Sequence, residues 1–448
     1  MITAILNFST ERKKFFLSYL FFLALSIRLC IVFLYSILPI SKIEINADYE
    51  YGIIARAIAD GKGYSYPIVE FDSNFAPKNI IGYRPSANQL PFFPYFLSIF
   101  YSFSRGPIAF FLIRVIHAIF SALTCIIIYL IALRLVQYKT AFILGILSAF
   151  YPLFIIIIIR IVPETFFTFW LSFTILYLLI LKDFPSIKNI AITGLLMGVT
   201  VLNNNVITSF FPLIGIWLLM NLKMAFWNKL WKVSLVFSIS ILVITPWLIR
   251  NFLIFNKFPL LKSTTGFNLW IGNNPSGTGT FFTENKEEIN PVIFKKFPDV
   301  FKLSEVEQDS IYYKDAIHYI RTNPFHYIKL IAKRFYYFWW FPSDELVTKS
   351  ARSYKKILAI PYMVILIFGI AGIFNAMRSN WKEYFLLVSL MLSISFVYAL
   401  FIVGHMRYRT PIEPYMLLFA SQAIFIFLRK LANMYISFCK NVKQRSLT

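Results

Sequence analysis

Three acidic side chains stand where a proton could be moved at the edge of an apolar run. Asp48 and Glu50 fall in Asn46-Ala47-Asp48-Tyr49-Glu50-Tyr51, just beyond the first such run, and Glu164 falls in Arg160-Ile161-Val162-Pro163-Glu164. A carboxylate at a lipid boundary is partly desolvated and becomes a better general base. Asp48 also suits a helix N-cap, and Glu164 suits the first turn of a helix behind Pro163; neither use excludes chemistry. Four arginines occupy comparable boundaries: Arg84 in Tyr83-Arg84-Pro85, Arg250 in Trp247-Leu248-Ile249-Arg250-Asn251, and Arg407 and Arg409 in His405-Met406-Arg407-Tyr408-Arg409-Thr410-Pro411. Arginine is suited to bidentate phosphate contacts. Interface anchoring is the competing use of Arg407 and Arg409, and a plain surface position that of Arg84. Carboxylates and arginines together could supply a general base and a site for a phosphate group.

The elements that carry these groups follow from composition. The chain has 448 residues, 58% hydrophobic, 19% aromatic and only 15% charged, with a mean hydropathy of +0.67. Soluble chains run about 25% charged. Long apolar runs make this an integral membrane protein. Spanning helices need about 20 apolar residues, and ten stretches fit: 15–37, 107–135, 140–158, 163–181, 187–202, 205–221, 230–249, 357–376, 383–402 and 411–428. The first follows Arg12, Lys13 and Lys14, but it is too long for a signal peptide and lacks a cleavage site, so it is expected to be retained.

With the N-terminus in the cytoplasm, alternation puts Lys139, Lys182, Lys188, Lys223, Lys229, Lys232, Arg378, Lys382 and the basic tail inside. Both termini are then cytoplasmic. The two long segments, 38–106 and 250–356, fall outside, together with Arg160, Arg407 and Arg409, which break the charge bias and so call for another role. The net charge of +23 is explained by topology and contact with anionic membrane lipids, and nucleic acid is excluded as a partner. Three cysteines and four scattered histidines lack metal-ligand spacing. No cofactor is expected, and a divalent metal has no motif behind it.

Three units result: an N-terminal bundle 1–249 that includes the outer loop 38–106, an outer segment 250–356, and C-terminal spans with a basic tail, 357–448. Residues 49–59 have helical composition, with Asp48, Tyr51 and Ala55 on one face and Gly61 and Gly63 at the end. Arg84 precedes a proline and is extended; the prolines and aromatics of 90–97 suggest a short interfacial helix. Ser304 to Arg321 is expected to be helical, restarting at Pro324. Residues 325–341, mixing Lys329, Lys333 and Arg334 with Phe335, Tyr336, Tyr337, Phe338, Trp339 and Trp340, fit an amphipathic helix in the headgroup layer, either as an aromatic belt or as one wall of a lipid-substrate groove.

Taken in order, Asp48 to Gly63, Tyr83-Arg84-Pro85 with Phe93-Pro94, Pro163-Glu164, Thr193 to Asn204, Pro246 to Asn251, Asn268 to Pro275, Asn323-Pro324 and Arg407 to Pro411 resemble the GT-C membrane glycosyltransferases, in the branch of the protein O-mannosyltransferases and the lipid A aminoarabinose transferase. The resemblance covers residues 46 to 415. It implies an all-α GT-C bundle of about ten spans (nine to twelve), with juxtamembrane helices in the first outer loop and a second, mostly helical outer segment. It implies a sugar donor on a polyprenyl phosphate, with Asp48 acting on the acceptor. The acceptor could be lipid A, a surface glycan, a glycolipid or a protein. It also implies the inner membrane of a bacterium, with the active site facing the periplasm. We assign Glu50 and Glu164 to the catalytic set with Asp48, and Tyr51, Asn273 and Asn274 to the donor side with the four arginines. The chain departs from the family in three places. Tyr49 separates Asp48 from the second acid, Arg84-Pro85 is followed by Ser86 rather than proline, and Asn203-Asn204-Asn205 replaces a Thr-Arg-Pro common in relatives. Two other classes compete. A polysaccharide ligase or polymerase would use a lipid-diphosphate glycan. A secondary transporter would place ionisable groups at the midplane, where Arg28 is the main example here.

Overall fold

A computed structural model describes residues 11–37, 49–71, 77–258, 261–283, 285–287, 289–343, 346, 349–402 and 406–445. Asp48 and His405 lie outside the described residues.

A helix lies at each of the ten apolar stretches. They are α1 (Glu11–Ile37), α4 (Gly106–Leu135), α5 (Tyr138–Phe150) with α6 (Pro152–Ile156), α7 (Glu164–Asp183), α8 (Ile187–Asn203), a 3₁₀ turn Asn205–Phe210 with α9 (Phe211–Asn221), α10 (Phe226–Phe255), both halves of α15 (Lys349–Leu400), and α16 (Glu413–Arg445). Among the described residues, six helices could cross a membrane by length and hydropathy, or seven if the bent pair α5–α6 is one span. The number ten is therefore not established: α8 and α9 are short, and two of the expected stretches fall within α15.

The breaks have local causes. Tyr151 is held extended before Pro152, and the pair bends by 42° there. In α15 the break is Asn380, with φ −157° and ψ 73°. Tyr362 and Tyr398, on either side of it, contact Arg409 and Tyr408 at one end of the bundle, whereas Glu383 and Tyr384 meet Lys182 and the Leu135 carbonyl at the other. The chain thus doubles back at Asn380.

Packing uses small residues and one internal cation. A Cβ on Gly194 would lie 2.7 Å from the Val236 carbonyl oxygen, and one on Gly198 would lie 2.6 Å from Val243, so α8 and α10 meet at backbone distance. Arg28, on α1, is fully buried. Its guanidinium donates to Ser121 Oγ at 2.7 Å and to the carbonyls of Ala24, Ala149 and Ser148. The last two belong to the C-terminal turn of α5, where carbonyls lack helical partners. Arg28 is thus a structural tie between α1, α4 and α5.

The long segments cap one end of the bundle. The first holds α2 (Tyr49–Ala59), β1 (Ser65–Phe71), β2 (Pro77–Pro85) and α3 (Phe92–Tyr101). The antiparallel hairpin corrects the expectation of helix alone. Tyr66, Ile68 and Val69 on one strand and Ile80, Ile81 and Tyr83 on the other have strand-forming side chains, and the register pairs Tyr66 with Arg84. The second segment holds α11 (Thr265–Gly272), α12 (Asn290–Lys296), α13 (Glu305–Thr322) and α14 (Pro324–Trp339). A reciprocal capping box between Ser304 and Glu307 starts α13, and Pro324 at the first turn starts α14. On α14, Leu330, Arg334 and Phe338 are buried, while Phe325, Ile328 and Tyr336 are exposed.

Candidate active site

Pro163 ends an irregular stretch after α6 and launches α7, placing Glu164 in the first helical turn with 6% exposure. The positive end of a helix suits a carboxylate. Across from it, the 3₁₀ turn Met406–Arg409 delivers Arg407, whose Nε lies 3.2 Å from Glu164 Oε1. This ion pair is not aligned as a hydrogen bond, and both Arg407 Nε and Glu164 Oε2 are buried without a hydrogen-bond partner. Burial opposes the charge of Arg407, but Glu164 and the neighbouring tyrosines outweigh it and raise the guanidinium pKa above its ordinary value.

Helix α2 contributes three more side chains. Glu50, in its first turn, accepts a hydrogen bond from Gln89 Nε2 at 2.8 Å. Tyr51 packs edge-on against Phe93 of α3 at 5.5 Å, and burial, with Glu164 next, pushes its phenol well above its usual pKa. The ring of Tyr49 lies under the Arg407 guanidinium at 5.9 Å. Strand β2 brings Arg84, which donates to the Leu303 carbonyl at 3.3 Å and keeps a buried, unpartnered Nε.

All of these line one cavity of about 740 Å³, together with Asn203, Asn204 and Asn205 at the end of α8, Lys262, and Glu305 and Asp309 of α13. Lys262 has its pKa lowered by burial, with Glu50 the strongest influence holding the proton on. Burial raises the Asp309 carboxyl even though the Phe267 N–H donates to it at 3.0 Å. Glu305 is engaged by the Ala87 N–H and by Ser263 Oγ, each at 2.9 Å, which ties α13 to the first segment. Asn203 is 6% exposed with both side-chain polar atoms unpartnered. Among the described residues, no three His, Cys, Asp or Glu side chains gather as a metal-ligand set.

The structure thus brings together Glu50, Glu164, Tyr51, Arg84 and Arg407 of the expected set. Asp48 lies outside the described residues; its chain neighbour Tyr49 lines the cavity. Four expected residues are not in the lining. Arg250 donates to the Ser86 carbonyl at 2.6 Å and the Tyr64 carbonyl at 2.8 Å, the residues immediately flanking the hairpin, so it clamps both hairpin ends to α10. Arg409 is buried in an ion pair with Glu413, with its guanidinium 3.5 Å from the Tyr362 ring centre. Asn273 and Asn274 donate to carbonyls at the end of α11, and Asn273 Oδ1 accepts from Arg334 Nη2. Arg334, read in the sequence as part of a basic interfacial face, is fully buried and also donates to the Gly272 and Phe401 carbonyls, both at 2.8 Å. Missed from the sequence were Lys262, Glu305 and Asp309. A lone cation after an apolar residue and two acids in a helix carry no local signal; only the tertiary fold gathers them.

The family model for dolichyl-phosphate-mannose-protein mannosyltransferase matches residues 85–249. The archaeal oligosaccharyltransferase AglB from Archaeoglobus fulgidus, solved with an inhibitory peptide and a dolichol-phosphate, superposes with a TM-score of 0.54 at 15% identity, over 96% of this chain and 52% of that one. The fold is that of the GT-C membrane glycosyltransferases. The apo form of the same archaeal enzyme superposes equally, with a TM-score of 0.54 at 15% identity, over 97% of this chain and 53% of that one. ArnT from Cupriavidus metallidurans bound to undecaprenyl phosphate aligns at 13% identity and a TM-score of 0.39, over 81% of this chain and 72% of that one. Among curated proteins no sequence match is found. The chain spans about half the length of the archaeal enzyme. The region matched by the family model contains Glu164 and Asn203 to Asn205, whereas Glu50, Arg84, Lys262 and Arg407 lie outside it.

Proposed function

We propose that this protein transfers a sugar from a polyprenyl-phosphate donor to an acceptor hydroxyl or amine, with inversion at the anomeric carbon. The observation that carries this reading is the mixed-sign lining of the cavity. Glu164, Arg84, Arg407 and Asn203 line it, and Glu164 Oε2, Arg84 Nε, Arg407 Nε and the Asn203 amide are buried without hydrogen-bond partners. Buried unpaired groups are costly, and sites that hold a polar ligand are where they are tolerated. The bundle fold and the mannosyltransferase family match supply the reaction class.

Asp48 takes the acceptor proton while the acceptor heteroatom attacks the anomeric carbon. The carbon–oxygen bond to phosphate breaks, and the lipid phosphate leaves as an anion without needing a general acid. Arg84 and Arg407 meet the charge that develops on it, and Lys262 holds the donor phosphate. Glu164 orients Arg407 from below, and Glu50, held by Gln89, positions the acceptor. By the charge bias of the loops the cavity opens on the side away from the cytoplasm, which in a bacterium is the periplasmic face of the inner membrane, with both termini inside.

The test is turnover of a radiolabelled polyprenyl-phosphate sugar by the purified protein in nanodiscs, with lipid A, glycan, glycolipid and peptide acceptors. Asp48→Asn is expected to lower turnover by about 10²–10⁴-fold with unchanged expression and folding. Unaltered turnover in that variant would remove Asp48 from the reaction. Turnover of a lipid-diphosphate oligosaccharide alone would instead place the protein with the polysaccharide ligases and polymerases.

A further inference from the structure

A second cavity of about 740 Å³ opens at the other end of the bundle, between the end of α4, the start of α5, and α15 and α16. Among the described residues its lining holds three cations, Arg134, Arg429 and Lys430, and four amides, Gln137, Asn375, Gln422 and Asn433, with no carboxylate. Loop-charge topology accounts for basic residues at this end. It does not account for their arrangement around a cavity.

Three observations point to an anion. Arg134 is held in place by a single carboxylate, Asp183, at 2.6 Å, with its side chain 7% exposed; a fixed guanidinium with donors to spare is a preorganised anion hook. Helix α5 begins at Tyr138 with no side-chain cap from Gln137, and Gln137 and Thr140 line the cavity, so the positive helix end lies at its wall. Asn375, Gln422 and Asn433 add side-chain amides to the lining, a residue type that can donate N–H bonds to an anion. The remaining wall is apolar, formed by Leu135, Val136, Phe425 and Ile426, as suits a group joined to a hydrocarbon chain.

We propose that this cavity binds a phosphate-bearing anion, the headgroup of an anionic phospholipid, at the end of the bundle opposite the transferase site. The position follows from α16, which starts beside the first cavity at Glu413 and reaches Arg429 sixteen residues on, about 24 Å along a helix. The inference rests on this cavity's own lining and stands whether or not the transfer reaction does.

The experiment is native mass spectrometry of the full chain released from nanodiscs of phosphatidylcholine doped with phosphatidylglycerol, with and without millimolar inorganic phosphate. Wild type is expected to retain phosphatidylglycerol. Arg429→Ala/Lys430→Ala is expected to lose most of it, at least about tenfold for two charge-assisted contacts. Arg429→Lys should retain it. Lys440→Ala/Lys443→Ala, which removes the same charge farther along the chain, should also retain it. Displacement by inorganic phosphate at millimolar concentration would overturn the lipid headgroup in favour of a free anion. Equal lipid retention by wild type and the Arg429/Lys430 variant would overturn the site altogether. Transferase turnover in the same samples reports folding independently.

Discussion

The helices part around a cavity of about 740 Å³ at each end of the bundle, and the two cavities differ in sign rather than size. One mixes Glu50, Glu164, Glu305 and Asp309 with Arg84, Lys262 and Arg407; the other holds cations and amides and no acid. Opposite charges kept partly desolvated and incompletely paired are expensive. They are maintained where charge moves during a reaction. A single-signed cavity needs no internal conflict, because its complement comes with the ligand. On the proposed reading, the mixed lining serves chemistry and the uniform lining serves binding.

Substitutions can break this contrast. After Asp48→Asn, Glu164→Gln should have the largest effect, lowering kcat by about 10²–10³-fold, since on the proposed mechanism it frees Arg407 from the position in which it meets the leaving phosphate. A full-rate enzyme would deny the mixed cavity its role. Arg409→Gln should act on stability instead. Stripping Glu413 of its partner should cost about 3–5 kcal/mol, seen as earlier unfolding in detergent, with kcat per folded molecule preserved. A normal unfolding midpoint with a lost donor affinity would return Arg409 to the site.

Lys262→Gln should raise the donor KM about tenfold, as expected for one charge-assisted contact, and leave kcat less affected. Because burial lowers the Lys262 pKa, its charge is lost earlier than an ordinary lysine's as pH rises. The wild-type donor KM should therefore climb on the alkaline side, and Lys262→Arg should flatten that climb, because arginine stays protonated. Identical profiles for the two would separate Lys262 from donor binding. The smallest effect belongs to the other cavity: Arg429→Ala/Lys430→Ala should change turnover by less than about twofold, because surface changes away from a site are nearly neutral.

Much of the fold was legible because period and punctuation were strong. Helix α2 begins and ends where its composition and Gly61 require, and the capping box of α13 is a sequence pattern with a direct physical meaning. The hairpin was not legible, since its isoleucines and aromatics sit in a chain where such residues are everywhere. Site residues were legible by location but not by direction. Arg407 and Arg409 share one 3₁₀ turn, where two residues are about 240° apart, so one faces the cavity while the other is buried against Glu413. No sequence pattern says which. Arg250 illustrates the same limit: its place at the end of α10 was evident, but two backbone carbonyls from a distant hairpin decide what its guanidinium does.

Arg28 carries a consequence for biogenesis. Helix α1 enters the bilayer with a charge costing about 2.5–3.5 kcal/mol at a helix centre, while its Ser121 partner is 93 residues downstream and the Ala149 carbonyl 121. Until α4 and α5 are made and docked, that charge lacks its long-range partners. The cation that ties the finished bundle is therefore also a timing device, making stable residence of the first helix conditional on the arrival of the third apolar run.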